Sequence, residues 1–347
     1  MNRQPKSGNL KSSALLMAAP VSSAALSYGI LRRQPSPICS FSATFFLPLS
    51  SATLDQSRRV SLSSVWPSQL RSRRRSLPSL LAMASEKALA SKGDQGLLVF
   101  DTEEELSASL AKYTAELSEK FIRERGAFTV VVSGGSLIKS LRKLTESPYL
   151  ETIDWAKWHT FWVDERVVPK DHEDSNYKLA FDGFLSKVPI PPDQVCAIND
   201  ALSAPGAAED YETALKHLVN IGVVVKSASG YPRFDLMLLG MGPDGHIASL
   251  FPNHPLLNVT DKWVTFIKDS PKPPPERITF TLPVINSSSY VAMVVAGAGK
   301  AGVVGKALGN EKTADLLPVE MISLEDGELT WFADNAAVSM LPDKPSL

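Results

Sequence analysis

Short apolar runs alternate with longer amphipathic stretches along the chain from residue 97 onwards. This alternation is typical of β-α units repeated around a parallel sheet. The apolar runs are mostly continuous and β-branched, as expected for strands whose two faces are both covered. They predict strands over residues 97–100, 128–132, 159–163, 234–239 and 290–295, and a last strand over 329–332 at the sheet edge.

The amphipathic stretches predict helices between these strands. Thr102 with Glu105 three residues later forms a capping box, and apolar residues recur at helical spacing until Gly126, where we expect the helix to end. Further helices are predicted near residues 175–185, 207–221 and 299–308. With no internal repeat and no coiled-coil register, the pattern predicts one α/β domain: a three-layer α/β/α, Rossmann-like fold around a mostly parallel sheet.

The first 85 residues differ in composition from the rest. They hold eleven Lys and Arg, twenty Ser and a single acidic residue, Asp55. A Ser-rich, basic and acid-poor leader is the composition of an organelle transit peptide. Because basic residues are sparse before Arg32 while Ser is dense, we expect a plastid address. The alternatives are a mitochondrial address and a disordered tail with another role, such as a basic anchoring arm around residues 71–75.

We therefore divide the chain into a transit peptide and disordered leader over residues 1–85 and a globular domain over residues 86–347. Import machinery of the organelle would recognise the leader. Met83 offers an internal start for a leaderless, cytosolic form.

The 262 residues after the leader carry a net charge of −11. This acidic surplus argues against binding to nucleic acid or to an anionic membrane, since either needs a surplus of Lys and Arg. No run of eighteen apolar residues occurs, so we expect no transmembrane helix. Cys39 lies in the leader and leaves Cys196 alone in the domain, which excludes an intramolecular disulfide there and fits a reducing compartment.

A glycine loop, Ser133-Gly134-Gly135-Ser136, directly follows the second predicted strand and precedes an apolar helical pattern. Backbone amides at such a turn, next to a helix N-terminus, suit a phosphate group, and two glycines allow close approach of the backbone. An ordinary tight turn explains the same residues equally well. The loop is not a nucleophile elbow, because Val131 stands where G-x-S-x-G requires its first glycine.

A second glycine-rich stretch, Gly240-Met241-Gly242-Pro243-Asp244-Gly245, matches the dinucleotide fingerprint G-x-G-x-x-G. We reject a dinucleotide site here, because Asp244 would repel the pyrophosphate, Pro243 lacks an amide donor and Pro252 stops any following helix. We therefore expect no redox cofactor.

The same stretch continues into His246, so that a carboxylate, Asp244, lies two residues from an imidazole at the end of a core strand. Histidine can take a proton from water near neutral pH, and a nearby carboxylate can orient it and stabilise its charged form. The alternative is a structural histidine that caps a turn. His172 and His254 show no ligand-like spacing with His246, and no H-E-x-x-H motif or Cys cluster occurs, so we expect no metal.

Further charged residues lie at the ends of other predicted strands or at the start of the element that follows. Asp164 and Arg166 end the third strand. Such a charged group usually indicates a solvated loop, but at the carboxyl end of a strand in this fold it more often points into the ligand crevice, where an arginine can bind a phosphate or carbonyl oxygen. Arg277 follows a polyproline-like connector, residues 271–275, that we expect to fix its position. Lys300 begins the helix after the fifth strand.

The glycine loop and these cations predict a site for a phosphate monoester, with Asp244 and His246 as its acid-base groups. Four motifs, in this order, closely resemble those of the 6-phosphogluconolactonase family: VSGGS at 132–136, WVDERVV at 162–168, DSNY at 174–177 and LGMGPDGHIASLFP at 239–252. The resemblance runs from about residue 95 to 337. It implies that the globular domain is a catalytic domain and, with the leader, that the chain is a plastid-targeted plant form.

The resemblance implies hydrolysis of 6-phospho-D-glucono-1,5-lactone to 6-phospho-D-gluconate in the oxidative pentose phosphate pathway, which supplies NADPH, with no metal or other cofactor. His246 would deprotonate the water that attacks C1, with Asp244 orienting the ring or supporting the step electrostatically. The expected phosphate- and substrate-binding residues are Ser133, Gly134, Gly135, Ser136, Asp164, Arg166, Arg277 and Lys300. Which cation binds the phosphate and which binds the lactone stays open.

The family is also similar to the amino-sugar-phosphate deaminases and isomerases, which share its fold and the D-G-H core. In those enzymes the core continues I-A-F-N-E-P, with the Glu assisting ring opening, whereas Phe251 stands at that position here. Deaminase or isomerase activity and a catalytically silent sugar-phosphate-binding protein are therefore the alternatives. The partner we expect is a small sugar phosphate lactone, bound by a monomer or a weak homo-oligomer.

Overall fold

The computed structural model describes residues 89–91, 95–309 and 315–341. All of them belong to one of the two units into which the chain divides, the unit that begins at Gln56. The leader over residues 1–85, with its expected plastid address and the internal start at Met83, lies outside the described residues.

The described residues form thirteen strands. In chain order they are β1 Leu89–Ser91, β2 Gln95–Phe100, β3 Phe128–Val132, β4 Trp158–Trp162, β5 Asp164–Arg166, β6 Val195–Cys196, β7 Val225–Lys226, β8 Pro232–Arg233, β9 Leu236–Gly240, β10 Val264–Ile267, β11 Arg277–Phe280, β12 Tyr290–Val295 and β13 Glu328–Asp334. The six strands predicted from the apolar runs are confirmed, each within two residues at either end.

Helices connect these strands. They are α1 Glu103–Arg125, α2 Leu137–Ser140, α3 Tyr149–Thr152, α4 Asn176–Gly183, α5 Ala204–Asn220, α6 Leu282–Asn286 and α7 Ala301–Leu308. None of the helices in the described ranges combines the length and the apolar character needed to span a bilayer.

The start and end of α1 follow from local sequence. Thr102 Oγ1 accepts a hydrogen bond from the Glu105 amide at 3.1 Å, as predicted for the cap. Instead of bonding back to Thr102, the Glu105 carboxylate accepts from the Asp101 amide at 3.1 Å. Gly126 ends the helix in the left-handed conformation, φ 78°, and its amide donates to the Ile122 carbonyl.

Eight strands form the main sheet, in the order β1-β2-β13-β12-β9-β3-β4-β6. All neighbouring pairs run parallel except β1 with β2. This mostly parallel sheet confirms the predicted α/β fold class.

The position of the last strand corrects our prediction. We expected it at the sheet edge, but β13 lies between β2 and β12. Its central residue Trp331 pairs with Leu97 on one side and Met293 on the other. The strand is buried from Leu329 to Ala333 because both of its edges are paired and both faces are covered.

Helices cover both faces of the main sheet. On one face Val131 of β3 packs in a cluster with Leu215 of α5. On the other face Val130 of the same strand packs with Leu110 of α1. Each of these side chains is almost fully buried, and such burial stabilises the fold by about 1.5–3 kcal/mol per side chain. The result is the predicted three-layer α/β/α arrangement.

Four consecutive parallel strands, β12, β9, β3 and β4, end at the same edge of the main sheet. A small antiparallel sheet, β10-β11-β5, continues from this edge, because only Val163 separates the end of β4 from the start of β5. The loops that carry the candidate site residues therefore converge here.

Candidate active site

Hydrogen bonds tie the loops at this edge to one another. The Gly240 amide donates to Ser133 Oγ at 3.3 Å, which joins the end of β9 to the glycine loop after β3. Lys300 Nζ, in the loop after β12, donates to the Met241 carbonyl at 2.5 Å. The predicted residues on these three strands are thus brought into one site.

Asp244 and His246 are in direct contact. The Nδ1 atom of His246 lies 2.5 Å from Asp244 Oδ1. A tight turn produces this contact: the Gly242 amide donates to the His246 carbonyl at 2.9 Å, and Gly245 takes a left-handed conformation with φ 81°. Because an ionised carboxylate can only accept, Nδ1 carries the hydrogen and Nε2 keeps its lone pair.

The surroundings of His246 favour the neutral imidazole. Its side chain is 16% exposed, and its ring centroid lies 4.7 Å from that of Phe251. Burial lowers the pKa of His246 below its usual 6.5, and the positive charge of Lys272 lowers it further, against the raising effects of Asp244 and Asp164. At neutral pH the ring is therefore uncharged and able to accept a proton.

Asp244 stays ionised beside this ring. Burial alone would raise the pKa of Asp244, but hydrogen bonds from His246 and Lys272 outweigh burial and lower it. The charged carboxylate can then hold the Nδ1 hydrogen and stabilise an imidazolium.

Lys272 is a residue of this site that sequence analysis did not select. Its Nζ atom donates to Asp244 Oδ1 at 3.2 Å and lies 3.2 Å from His246 Nδ1. We had interpreted residues 271–275 as a connector that fixes Arg277. A lysine flanked by prolines was the available signal, but no local pattern indicates that the connector folds back onto His246.

Arg277 was predicted to bind the phosphate or the lactone of the substrate, and the structure places its guanidinium among protein oxygens. The side chain is buried, with Nε donating to the Pro274 carbonyl at 3.0 Å and one terminal nitrogen donating to the carbonyls of Lys272 and Pro273 at 2.9 and 3.0 Å. The other terminal nitrogen donates to Ser249 Oγ at 3.4 Å. A guanidinium has five N–H groups, so one is left for another acceptor.

Asp164 and Arg166 of β5 lie next to this group. Asp164 is buried and its Oδ2 accepts from Ser249 Oγ at 2.7 Å. Arg166 donates to the Asp174 carbonyl at 2.5 Å, and its buried Nε has no hydrogen-bond partner among the described residues. Arg166 therefore keeps donor capacity for a ligand.

Glu165 between them has a structural role. Its buried carboxylate accepts from the amides of Asn176 and Tyr177 at 2.8 and 2.7 Å, at the start of α4. Ser175 caps the same helix by accepting from the Lys178 amide at 3.2 Å. Burial raises the pKa of Glu165 to about 7.

The glycine loop is held by close packing. An added Cβ on Gly134 would lie 1.9 Å from Asn176 Oδ1, whereas Gly135 has φ 70° and open space around it. The helix that follows Ser136 is a single turn, α2, so the loop's own amides, rather than a long helix, would have to bind an anion.

Lys300 ends a 3-10 turn that leads into α7. Burial lowers the pKa of Lys300, and the charge of Lys272 lowers it further while Asp244 opposes the change. These interactions place Lys300 within electrostatic reach of the Asp244–His246 pair. In the described part of the chain, no three His, Cys, Asp or Glu side chains cluster in a way that would suit a metal ion.

The model of one protein family, described as glucosamine-6-phosphate isomerases/6-phosphogluconolactonase, matches residues 101–331. A probable 6-phosphogluconolactonase 4, chloroplastic, of Oryza sativa subsp. indica is 75% identical over 250 residues, covering 72% of this chain and 77% of the relative. The 6-phosphogluconolactonase 3, chloroplastic, of Arabidopsis thaliana is 67% identical over 244 residues, covering 70% and 74%. A solved structure of 6-phosphogluconolactonase from Trypanosoma cruzi superposes with a TM-score of 0.63 at 25% identity, covering 74% of this chain and 100% of that one.

Proposed function

Because the chain belongs to the family of glucosamine-6-phosphate isomerases and 6-phosphogluconolactonases, we propose that it hydrolyses 6-phospho-D-glucono-1,5-lactone to 6-phospho-D-gluconate in the oxidative pentose phosphate pathway. The curated relatives make it an enzyme of the 6-phosphogluconolactonase type. The observation that carries the proposed mechanism is the contact of 2.5 Å between Asp244 and His246 at the carboxyl edge of the sheet.

His246 acts as the general base in this proposal. Its Nε2 atom takes a proton from a water molecule as the water oxygen attacks C1, and the carbonyl electrons move onto the carbonyl oxygen. When the tetrahedral intermediate collapses, the bond from C1 to the ring oxygen breaks and the imidazolium returns the proton to that oxygen. The products are a C5 hydroxyl and a carboxylic acid, which ionises. Asp244 supports the imidazolium between these two transfers.

The phosphate is held by backbone amides and cations in this proposal. Gly134 and Gly135 follow β3 at the same edge of the sheet as Lys300 and Arg166, and the buried Nε of Arg166 has no hydrogen-bond partner among the described residues. Arg277 contributes its charge and at most one N–H, since its other donors are used within the protein. Ser133, Ser136 and Asp164 complete the proposed binding set.

Deaminase or isomerase activity is less compatible with the site. By resemblance, those enzymes need a Glu for ring opening where this chain has Phe251. The Phe251 ring packs against the His246 imidazole at 4.7 Å, so an apolar group occupies the position of that carboxylate. Water can attack the carbonyl carbon of the closed lactone directly, so lactone hydrolysis needs no such acid.

A coupled assay tests the proposed reaction. Glucose-6-phosphate dehydrogenase generates the lactone in situ, and formation of 6-phosphogluconate is compared for the full chain, its His246→Ala variant and buffer. We expect acceleration over buffer that falls by about 100-fold or more in His246→Ala. The matched control His217→Ala, at an exposed position in α5, should retain the parent rate. A folded parent chain with no acceleration would overturn the proposal, and release of ammonia from glucosamine 6-phosphate would favour the deaminase.

We also propose that residues 1–85 direct the chain to plastids and that residues 86–347 hold the catalytic domain. Curated relatives of Oryza sativa and Arabidopsis thaliana that are named chloroplastic support this location. A fluorescent protein fused behind residues 1–85 should enter plastids in leaf cells, whereas the chain started at Met83 and fused in the same way should stay in the cytosol. Cytosolic signal from the first fusion would contradict the assignment.

A further inference from the structure

The segment between β10 and β11, residues 268–276, forms a closed loop, which we call the Lys272 loop. The Ser270 amide donates to the Pro275 carbonyl at 3.2 Å across its base. Ser270 Oγ donates to the Lys272 carbonyl at 2.9 Å and accepts from the Lys272 amide at 3.3 Å. The backbone on both sides of Lys272 is therefore fixed by contacts within the loop.

Arg277 holds this loop through hydrogen bonds to its backbone. Its guanidinium donates to three successive carbonyls, those of Lys272, Pro273 and Pro274. A guanidinium can do this because its donors form a rigid planar fork, whereas a lysine ammonium has no such geometry. The contact to Ser249 Oγ ties the same guanidinium to the segment that follows His246.

The fixed loop aims its ammonium at the acid-base pair. Lys272 Nζ lies 3.2 Å from both Asp244 Oδ1 and His246 Nδ1, while its side chain is still 37% exposed. Lys272 thus shares with His246 the carboxylate oxygen that orients the ring. A positive charge at this distance also disfavours a second positive charge on the imidazole.

We propose that Lys272 is a positioning residue for the Asp244–His246 pair, and that Arg277 acts on the reaction mainly through Lys272, by holding its loop. This inference deepens the proposed lactonase function and rests on His246 being its base. It differs from the sequence-based assignment of Arg277, in which the guanidinium binds the substrate directly.

The charges around His246 set the expected direction of change. Asp244 on its own turn and Asp164 on β5 raise its pKa, and Lys272 on its loop lowers it. Lys300, after β12, interacts with Asp244 and Lys272. Without the ammonium of Lys272, the stabilisation of the protonated imidazole by the two carboxylates is no longer offset, so the pKa of His246 should rise.

NMR titration of the His246 imidazole tests this without requiring turnover. The full chain contains five histidines, and loss of one signal in His246→Ala assigns the resonance. We expect Lys272→Met to raise the pKa of His246 and Lys272→Arg to leave it close to that of the parent. The matched control is Lys268→Met, at an exposed lysine that contacts the Phe266 ring, and it should leave the titration unchanged. An equal titration in Lys272→Met and Lys268→Met would overturn the inference.

Kinetics separate the two roles open to Arg277. If Arg277 acts through Lys272, then Lys272→Met lowers kcat by about tenfold with little change in KM, and adding Arg277→Lys lowers kcat no further. Multiplied losses, or a rise in KM from Arg277→Lys that Lys272→Met does not share, would overturn the role of Arg277.

A second variant guards against misfolding at the buried Arg277. Ser270→Ala removes the side-chain ties to Lys272 without touching a charge, and it should shift the His246 titration in the same direction as Lys272→Met. The two proposals can fail separately. In one outcome the pKa of His246 shifts as expected, but the reaction rate does not change with the ionisation of His246. This outcome contradicts the role of His246 as the base and supports Lys272 as the residue that sets the pKa of the ring. An inactive His246→Ala with an unchanged titration in Lys272→Met does the reverse.

Discussion

A methyl group at Gly242 would occupy the space that the imidazole of His246 fills. An added Cβ there would lie 2.0 Å from His246 Nδ1 and 2.5 Å from Asp244 Oδ1. Gly242→Ala should therefore displace the pair and lower kcat by about 100-fold, while the fold survives because the turn lies outside the main sheet. The control is Gly240→Ala, where the added Cβ meets open space. Equal activity of the two variants in the coupled assay would contradict this account.

The pH dependence of the reaction depends on the same ring. Burial and Lys272 keep the pKa of His246 below 6.5, and the neutral ring is the active form. We expect kcat/KM to reach its plateau at neutral pH and to fall as the pH drops through the pKa of His246, which lies below 6.5. Asp244→Asn removes the carboxylate charge that raises this pKa. The acid limb of the kcat/KM profile of this variant should therefore lie at lower pH, with a plateau rate at least about tenfold lower. A limb that moves to higher pH would exclude His246 as the titrating base.

Individual residues differ in how far local sequence determines their place. Asp244 and His246 are two positions apart in a glycine turn, so their proximity could be predicted from spacing. Lys272 is 26 residues from His246 and lies in the loop that joins β10 and β11 of the small antiparallel sheet. Its contact depends on where the Lys272 loop folds, and that is set by the donors of Arg277, which the sequence pattern does not specify.

At the scale of elements, the glycine loop depends on α4. The Asn176 side chain donates to the Asp164 carbonyl at 3.0 Å, and its Oδ1 lies where a Cβ on Gly134 would be. Gly134→Ala should therefore push the loop away from α4 and raise KM for the lactone by about tenfold, because the phosphate contacts are lost.

The double variant Gly134→Ala/Asn176→Ala provides the control for this clash. Truncating Asn176 clears the space, so the double variant should regain part of the affinity that Gly134→Ala loses. Steady-state KM values for the three variants decide the matter. A double variant with the summed defects of both single ones would show that Gly134 is needed for another reason.

The hydrophobic pattern predicts the bounds of an element better than its place in the sheet. The continuous apolar runs of β3 and β12 gave their bounds correctly, because burial on both faces requires such runs. Strand order is a different kind of information. We placed β13 at the edge, yet its partners β2 and β12 surround it, and no residue within the strand distinguishes these two positions.

At the scale of the whole molecule, the end of the sheet opposite the site carries a buried ion pair. Arg125 at the end of α1 pairs with Asp235, which precedes β9 and is 2% exposed. Asp235 also accepts from the Thr129 amide at 2.7 Å. The network ties α1, β3 and β9 together at their far ends.

Breaking this pair should affect stability rather than catalysis. Arg125→Met leaves a buried carboxylate unpaired and should lower the free energy of unfolding by about 3 kcal/mol in urea titrations. Arg125→Met/Asp235→Asn should recover part of this loss, because no unpaired charge remains. Activity per folded molecule should match the parent in both variants, and a lower kcat at full folding would contradict the separation of the two ends.

The place of β13 also determines when the molecule can be finished. β2 comes near the beginning of the described chain, but its inner neighbour is the last strand, more than 200 residues later. A chain that emerges amino end first, from a ribosome or through an import channel, must hold β2 without that neighbour until about residue 334 has arrived. The sheet therefore cannot be completed until nearly the whole chain is available. Truncation before β13 leaves two interior strands, β2 and β12, with open edges that can pair with other molecules.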